Sequence, residues 1–168
     1  VDTSDQAEQV ERWLQALHAE EEHPVEREAF VVALRGENYW AFPLAFTRHI
    51  ARLTTFTPLP DAIPLLPGLT NWEGRVLPLI DLAPLVHQPP LSLEGRTYMV
   101  IVGHGDLEGG ILVSRAVDIQ EVPKGHIQTD EISSYILGTY TWPLEDATYV
   151  VHIVDVDRVL TAAREAYG

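Results

Sequence analysis

The 168-residue chain contains no cysteine, which excludes disulfides, Cys-ligated zinc, iron–sulfur clusters and a thiol nucleophile. Long apolar runs are also missing: the longest, Ala29 to Leu34, falls far short of the roughly 18 residues needed to cross a bilayer. Basic residues are scarce. Eleven against 25 acids give a formal net charge of −14, and long-range repulsion then opposes binding to a phosphate backbone or an anionic lipid surface. Neither a nucleic-acid partner nor direct membrane insertion is expected. The chain opens on Val1, and no basic segment leads into an apolar stretch, so no signal peptide is expected. With Met99 as its one methionine, the chain reads as a trimmed or excised stretch, and a reducing cytosol fits the absence of cysteine.

What is present is an ordinary globular balance, 46% hydrophobic and 21% charged, enough for a core without covalent staples. The acid excess is uneven: residues 1–28 hold nine acids and two arginines. Within this stretch Val10, Trp13, Leu14 and Leu17 recur at helical spacing, and Asp5 with Glu8 has capping-box spacing. Residues 1–27 therefore read as an acidic amphipathic helix ending near Glu22, before His23 and Pro24. Its apolar stripe is expected to lie on the domain with the acids in water; the alternative is a docking helix for a basic partner.

From Glu28 the period changes to alternation, with β-branched and aromatic residues in short runs divided by Gly, Pro, Asp and Asn. Strands are expected over Phe30–Leu34, Asn38–Phe42, Ile50–Phe56, Arg75–Ile80, Tyr98–Val102, Gly110–Val113, Val117–Val122 and Thr148–Val154, and a weaker one over Tyr135–Tyr140. Thr57 to Pro67 reads as a stiff connection. Pro78, inside an apolar run, implies an edge or a bulge. A closing helix begins after Asp155, a good N-cap, with Val159, Leu160 and Ala163 on one side. Two groups of hydrophobic hairpins, before and after Gln88-Pro89-Pro90, suggest two small barrels, each marginal alone and therefore sharing one core.

The run from Gly68 to Leu82, Gly-Leu-Thr-Asn-Trp-Glu-Gly-Arg-Val-Leu-Pro-Leu-Ile-Asp-Leu, resembles the central signature of the CheW-like coupling domain, G-x-x-N-x-R-G-x-x-x-P-[VIL]-[VIL]-D-L. The flanks agree in order: Phe42-Pro43-Leu44 with Ile50, Gly110 to Val113 with Val117, and Thr148 to Asp155. The resemblance covers residues 28–164 and leaves 165–168 as a short tail. It implies a mostly β fold of two intertwined five-stranded barrels around a common apolar core, with an N-terminal and a C-terminal helix. It also implies a non-enzymatic cytoplasmic adaptor that couples a chemoreceptor tip to the regulatory domain of a CheA-type histidine kinase. Gly68, Gly74, Pro78 and Asp81 then carry scaffold tasks: open backbone dihedrals, an interrupted ladder, and acceptance of neighbouring amides.

Two positions depart from the pattern. Glu73 stands where relatives usually have Arg in N-x-R-G, a residue associated with receptor binding, and His49 stands where they often have Glu in V-x-E-I. Both have changed charge class together, so Glu73 is expected to face His49, or Arg48 if the register slips by one. Arg48, His49, Ile50, Asn71, Trp72 and Glu73 form the expected partner-binding set, and Trp72 divides evenly between partner contact and core filler. Trp40 is expected in the core, while Trp142 stays ambiguous.

No H-E-x-x-H, G-x-S-x-G, Walker loop or G-x-G-x-x-G occurs, and no catalytic residue, metal ligand or cofactor is expected. His104-x-Asp106-x-Glu108 reads as a solvated hairpin tip. His152 reads as a satisfied imidazole in the last strand, and Asp130-Glu131 as an acidic pair without a base or nucleophile. The altered charges and the acidic helix leave open a divergent scaffold for another pathway, such as pilus motility, surface sensing or polar positioning, or a piece of a larger coupling protein. Strand edges at the barrel ends would permit homo-oligomers.

Overall fold

The computed structural model describes residues 3–22, 25–89, 96–129 and 135–167. His23, Pro24, Pro90 and the Asp130-Glu131 pair lie outside them. The elements run α1 (Thr3–Glu22), β1 (Arg27–Arg35), β2 (Asn38–Pro43), β3 (Thr47–Arg52), β4 (Thr57–Pro58), β5 (Gly68–Trp72), β6 (Arg75–Ile80), β7 (Tyr98–His104), β8 (Leu107–Val113), β9 (Arg115–Pro123), β10 (Ile136–Leu144), β11 (Ala147–Val154) and α2 (Val156–Tyr167).

Two sheets result. One has the order β10-β11-β2-β1-β9, the other β3-β7-β8-β6-β5-β4, the sixth strand of the latter being two residues long. The chain passes from the first sheet to the second after β2 and returns at β9, so the units are intertwined. Pairing is antiparallel except for β11 with β2 and β6 with β8.

Each sheet wraps its own apolar cluster. Phe30, Val32, Tyr39, Tyr140, Val151 and Ile153 fill the first; Leu77, Leu79, Met99, Ile101 and Leu112 fill the second. The opposite faces of both sheets supply a third cluster, in which Trp40, Phe42 and Val154 meet Ile80, Val100 and Ile111, and α2 closes it with Val159, Leu160 and Ala163. Alternation along each strand makes this possible, because successive side chains enter the strand's own barrel and the shared core in turn. Trp40 is fully buried there, while Trp142 sits half-buried with its ring edge-on to Tyr39, centroids 5.3 Å apart. Asp155 caps α2 as expected, its Oδ1 accepting from the Arg158 amide at 3.2 Å.

Five expectations need correction. Helix α1 starts at Thr3, so Asp5 lies inside its first turn, where its charge suits the positive end of the helix dipole. Its stripe does not lie on the domain: Trp13 is 70% exposed, and Val10 and Leu14 are exposed too. The third strand begins three residues earlier than the apolar run suggests and ends at Arg52, while Thr57-Pro58, read as connection, pairs with Leu69 and Gly68. Finally, Pro78 lies in an interior strand. Parallel pairing of β6 with β8 involves Leu79 and Ile80 alone, so β8 requires no N–H from Pro78. Strand β5 itself had no apolar alternation to announce it, since Gly68, Thr70 and Asn71 are poor or polar strand formers.

The two sheets are tied by a buried ion pair. Arg35, the last residue of β1, donates Nε to Asp81 Oδ1 at 2.9 Å and Nη2 to Oδ2 at 3.1 Å. Nη2 also reaches the Pro89 carbonyl at 2.9 Å, and Asp81 Oδ1 accepts from the Ala83 amide at 3.0 Å. Asp81 thus does cap a neighbouring amide, and beyond that it holds the Arg35 guanidinium of the other sheet.

Candidate docking site

The expected site residues fall at one end of the second barrel, on β3 and on the β5–β6 hairpin. Trp72 pairs with Arg75 across the two-residue turn Glu73-Gly74. Gly74 has φ +80, where any Cβ is strained, and Glu73 itself has φ 49. Gly68 is needed for a different reason: a Cβ there would overlap the Thr57 carbonyl of β4. Asn71 is exposed beside the turn and pairs with Val76.

Curling of the sheet brings β3 over this hairpin, although β3 pairs with β7 and not with β5. The His49 ring meets Trp72 with centroids 4.7 Å apart, and the Arg75 guanidinium lies over the Trp72 ring at 5.2 Å. Trp72 is half-buried against the barrel's own cluster, so it is both filler and exposed face. Ile50, the next β3 residue, is exposed.

The expected Glu73 pair does not form. Among the described residues Glu73 has no ion pair or hydrogen bond to His49 or Arg48. Arg48 instead donates Nη1 to Glu108 Oε2 at 2.7 Å and Nη2 to the Gly105 carbonyl at 3.1 Å. Glu108 also accepts from Arg75 Nε on its other oxygen, at 2.8 Å. The physical reason is a β-bulge: Thr47 faces Val102 while His49 faces Ile101, leaving Arg48 as the extra residue. A bulge re-aims its side chain, here across β7 onto β8. Gly103 makes room for it, since a Cβ there would overlap the Arg48 guanidinium.

Burial alone would push the Glu108 carboxyl up. Hydrogen bonds from Arg48 and Arg75, together with their charges, outweigh it and hold the group below the usual carboxylate range. Glu108 is therefore a fixed anion holding two cations. Beside it runs an apolar groove of about 620 Å³ between the β5–β6 hairpin and α2, lined by Leu59, Leu69, Val76, Pro78, Leu107 and Leu160 among others. Val76 is 65% exposed at its edge.

Sequence reasoning had no access to Arg75, Glu108 and Gly103 as one group. The only sequence trace is a glycine inside a strand, which marks close approach of another group. The rest of His104-x-Asp106-x-Glu108 does not converge: His104 Nδ1 lies 2.7 Å from Asp157 Oδ1 of α2, while Glu108 is taken by the arginines. Among the described residues no group of three or more His, Asp and Glu side chains is arranged to hold a metal.

Two further polar features lie away from this end. A groove of about 550 Å³ opens between β9 and β10, and Tyr140 Oη crosses it to Gln120 Oε1 at 2.8 Å. Burial first, then the charge of Asp118, pushes the Tyr140 hydroxyl well up, so it stays a donor. On β11, His152 leans on Trp40 with centroids 5.2 Å apart, and its Nδ1 and Trp40 Nε1 are buried without hydrogen-bond partners. Against the expected satisfied imidazole, the Nδ1 of His152 finds no partner among the described residues, and burial pushes the ring toward the neutral form.

The geometry is thus two barrels around a shared core, with arginine, indole and carboxylate held together at one barrel end. The profile of the CheW-like domain family matches residues 28–164; the chain belongs to that family. It is 27% identical over 99 residues to the Chemotaxis protein CheW of Bacillus subtilis (strain 168), covering 59% of this chain and 63% of that protein. To the Probable chemotaxis protein CheW of Rhizobium etli it is 31% identical over 106 residues, 62% of this chain and 68% of that one. To Protein PilI of Pseudomonas aeruginosa it is 24% identical over 88 residues, 52% and 49%. The chain thus spans about two thirds or less of the lengths of these relatives. Among solved structures, the scaffolding protein TtCheW from Thermoanaerobacter tengcongensis matches with a TM-score of 0.65 at 15% identity, over 80% of this chain and 88% of that one. That is the same fold.

Proposed function

We propose that the chain is a non-enzymatic cytoplasmic adaptor that couples a chemoreceptor tip to the regulatory domain of a CheA-type histidine kinase. The observation that carries this reading is the locked barrel end. Trp72 is half-buried between His49 and Arg75, and half-exposed aromatics with arginines are the side chains that anchor protein contacts. Arg48, His49, Ile50, Asn71, Trp72 and Glu73 belong to the proposed partner surface; Gly68, Gly74, Pro78 and Asp81 support it. Residues 1–27 form an acidic extension and 28–164 the adaptor domain, while helix α2 runs past 164 to Tyr167, so the expected tail is not separate from it. No helix among the described residues is long and apolar enough to cross a membrane, in keeping with a partner-bound role in the cytoplasm.

A second reading, a related scaffold serving another pathway, is favoured by Glu73. It is exposed at the hairpin tip without a compensating cation on β3, and an acid there repels an acidic receptor contact. Titration of a receptor-tip fragment and of the kinase regulatory domain separates the two. Saturable binding of both supports coupling, binding of the kinase domain alone supports the second reading, and binding of neither overturns both.

A further inference from the structure

We infer that the open seam between β9 and β10 of the first barrel is a separate docking site, taken by an extended, arginine- or lysine-bearing segment of a partner protein that adds as a strand beside β9. The inference stands apart from the coupling role and from the surface around Trp72.

The seam is pinned at one end. Gln128, beyond β9, and Thr139 of β10 exchange both backbone hydrogen bonds at 2.8 Å, and a Cβ at Gly138 would overlap the Gln128 carbonyl. Past that bridge, among the described residues, β9 pairs with β1 alone and β10 with β11 alone. The barrel is therefore not closed by backbone. Two strand edges flank a groove of about 550 Å³, crossed by the hydrogen bond from Tyr140 to Gln120. Unpaired edges of this kind are templates for an incoming strand.

Charge selects the occupant. Asp118 and Gln120 stand opposite Val32 and Phe30, which fill the barrel, whereas Ile119 stands opposite Val31 on the outer face. Asp118 Oδ1 accepts from the Ile119 amide at 2.8 Å, but among the described residues no cation pairs with Asp118 or Glu121. Lys124, the next base along the chain, lies 3.5 Å from Glu26 instead. The charge of Asp118 reaches the Tyr140 hydroxyl, which it helps to push up. An uncompensated carboxylate with the half-buried Trp142 ring in the same groove favours a guanidinium or an ammonium. Gln120, its Oε1 taken by Tyr140, keeps its amide hydrogens for a peptide carbonyl. Ile119, 63% exposed, gives the other face of the added strand an apolar neighbour. A second copy of this chain is a poor occupant, since each carries a formal charge of −14.

The test is an NMR titration of the ¹⁵N-labelled chain with an acetylated, amidated pentapeptide, Thr-Arg-Val-Arg-Thr, and with versions carrying Gln or Glu for both arginines. Saturable shifts are expected at the amides of residues 117–121 and 140–142, with new exchange protection along β9. The Gln peptide, and separately Asp118→Asn, should each weaken binding about tenfold, and the Glu peptide should not bind. Asp118 is exposed, and circular dichroism controls for folding. Equal affinity of the Arg and Gln peptides, Asp118→Asn matching wild type, shifts spread over the acidic surface, or no saturable shift at millimolar peptide would each overturn the assignment. None of these results would alter the coupling role, which is read on receptor and kinase fragments.

Discussion

Arg35, at the end of β1 in the first sheet, and Asp81, just after β6 in the second, meet in a buried bidentate ion pair. Both side chains are about 5% exposed or less. Desolvation of two charges offsets most of their attraction, so the pair adds little net stability, but removing one partner strands the other. Asp81→Ala is therefore expected to lose about 3–5 kcal/mol, read as a lower urea midpoint with an unchanged slope. A loss below about 1 kcal/mol would mean that Arg35 finds water or another acceptor.

Gly103→Ala probes the bulge. A Cβ at this position overlaps the Arg48 guanidinium, and Arg48 can swing into solvent because it is 41% exposed along its side chain. Stability should change by no more than about 1 kcal/mol, yet Glu108 loses one of its two hydrogen-bonded cations and its carboxyl pKa should rise. A carboxyl-carbon titration by NMR reads that shift directly.

Strands flanked by Gly and Pro and the C-terminal helix stripe were legible in the sequence, because alternation and capping are local properties. Contacts made by curling and bulging were not. The one-residue slip at Arg48 moves its partner from the hairpin tip to Glu108, and no local pattern reports a bulge. Arg35 reads locally as a turn residue; only the second sheet makes it a buried cation. The stripe on α1 shows the converse: Val10, Trp13 and Leu14 have the spacing of a packed helix yet are exposed.

That exposure has a direct consequence. Removing residues 1–24, or making Trp13→Asp with Leu14→Asp, should leave domain stability within about 0.5 kcal/mol, checked by thermal and urea unfolding. A loss of several kcal/mol would place the stripe on the domain after all.

Acid sensitivity should follow His152 and Glu108. Burial lowers the His152 pKa from 6.5, so the unfolded chain takes up a proton before the folded one does and stability falls as pH drops through and below that value. His152→Phe should flatten this part of the pH profile. Glu108 also has a lowered folded pKa, against an ordinary value of 4.5, so its contribution is complete above that value and is lost as pH falls through the folded one. Comparing unfolding of wild type with Glu108→Gln should show a difference that shrinks only in the acid range.

The coupling role itself is tested most directly by sedimentation velocity of the chain with the kinase regulatory domain and a receptor-tip fragment together. The account predicts one faster boundary containing all three, weakened by Trp72→Ala. Two separate boundaries, with the chain migrating alone at concentrations where its partners are in excess, would contradict it.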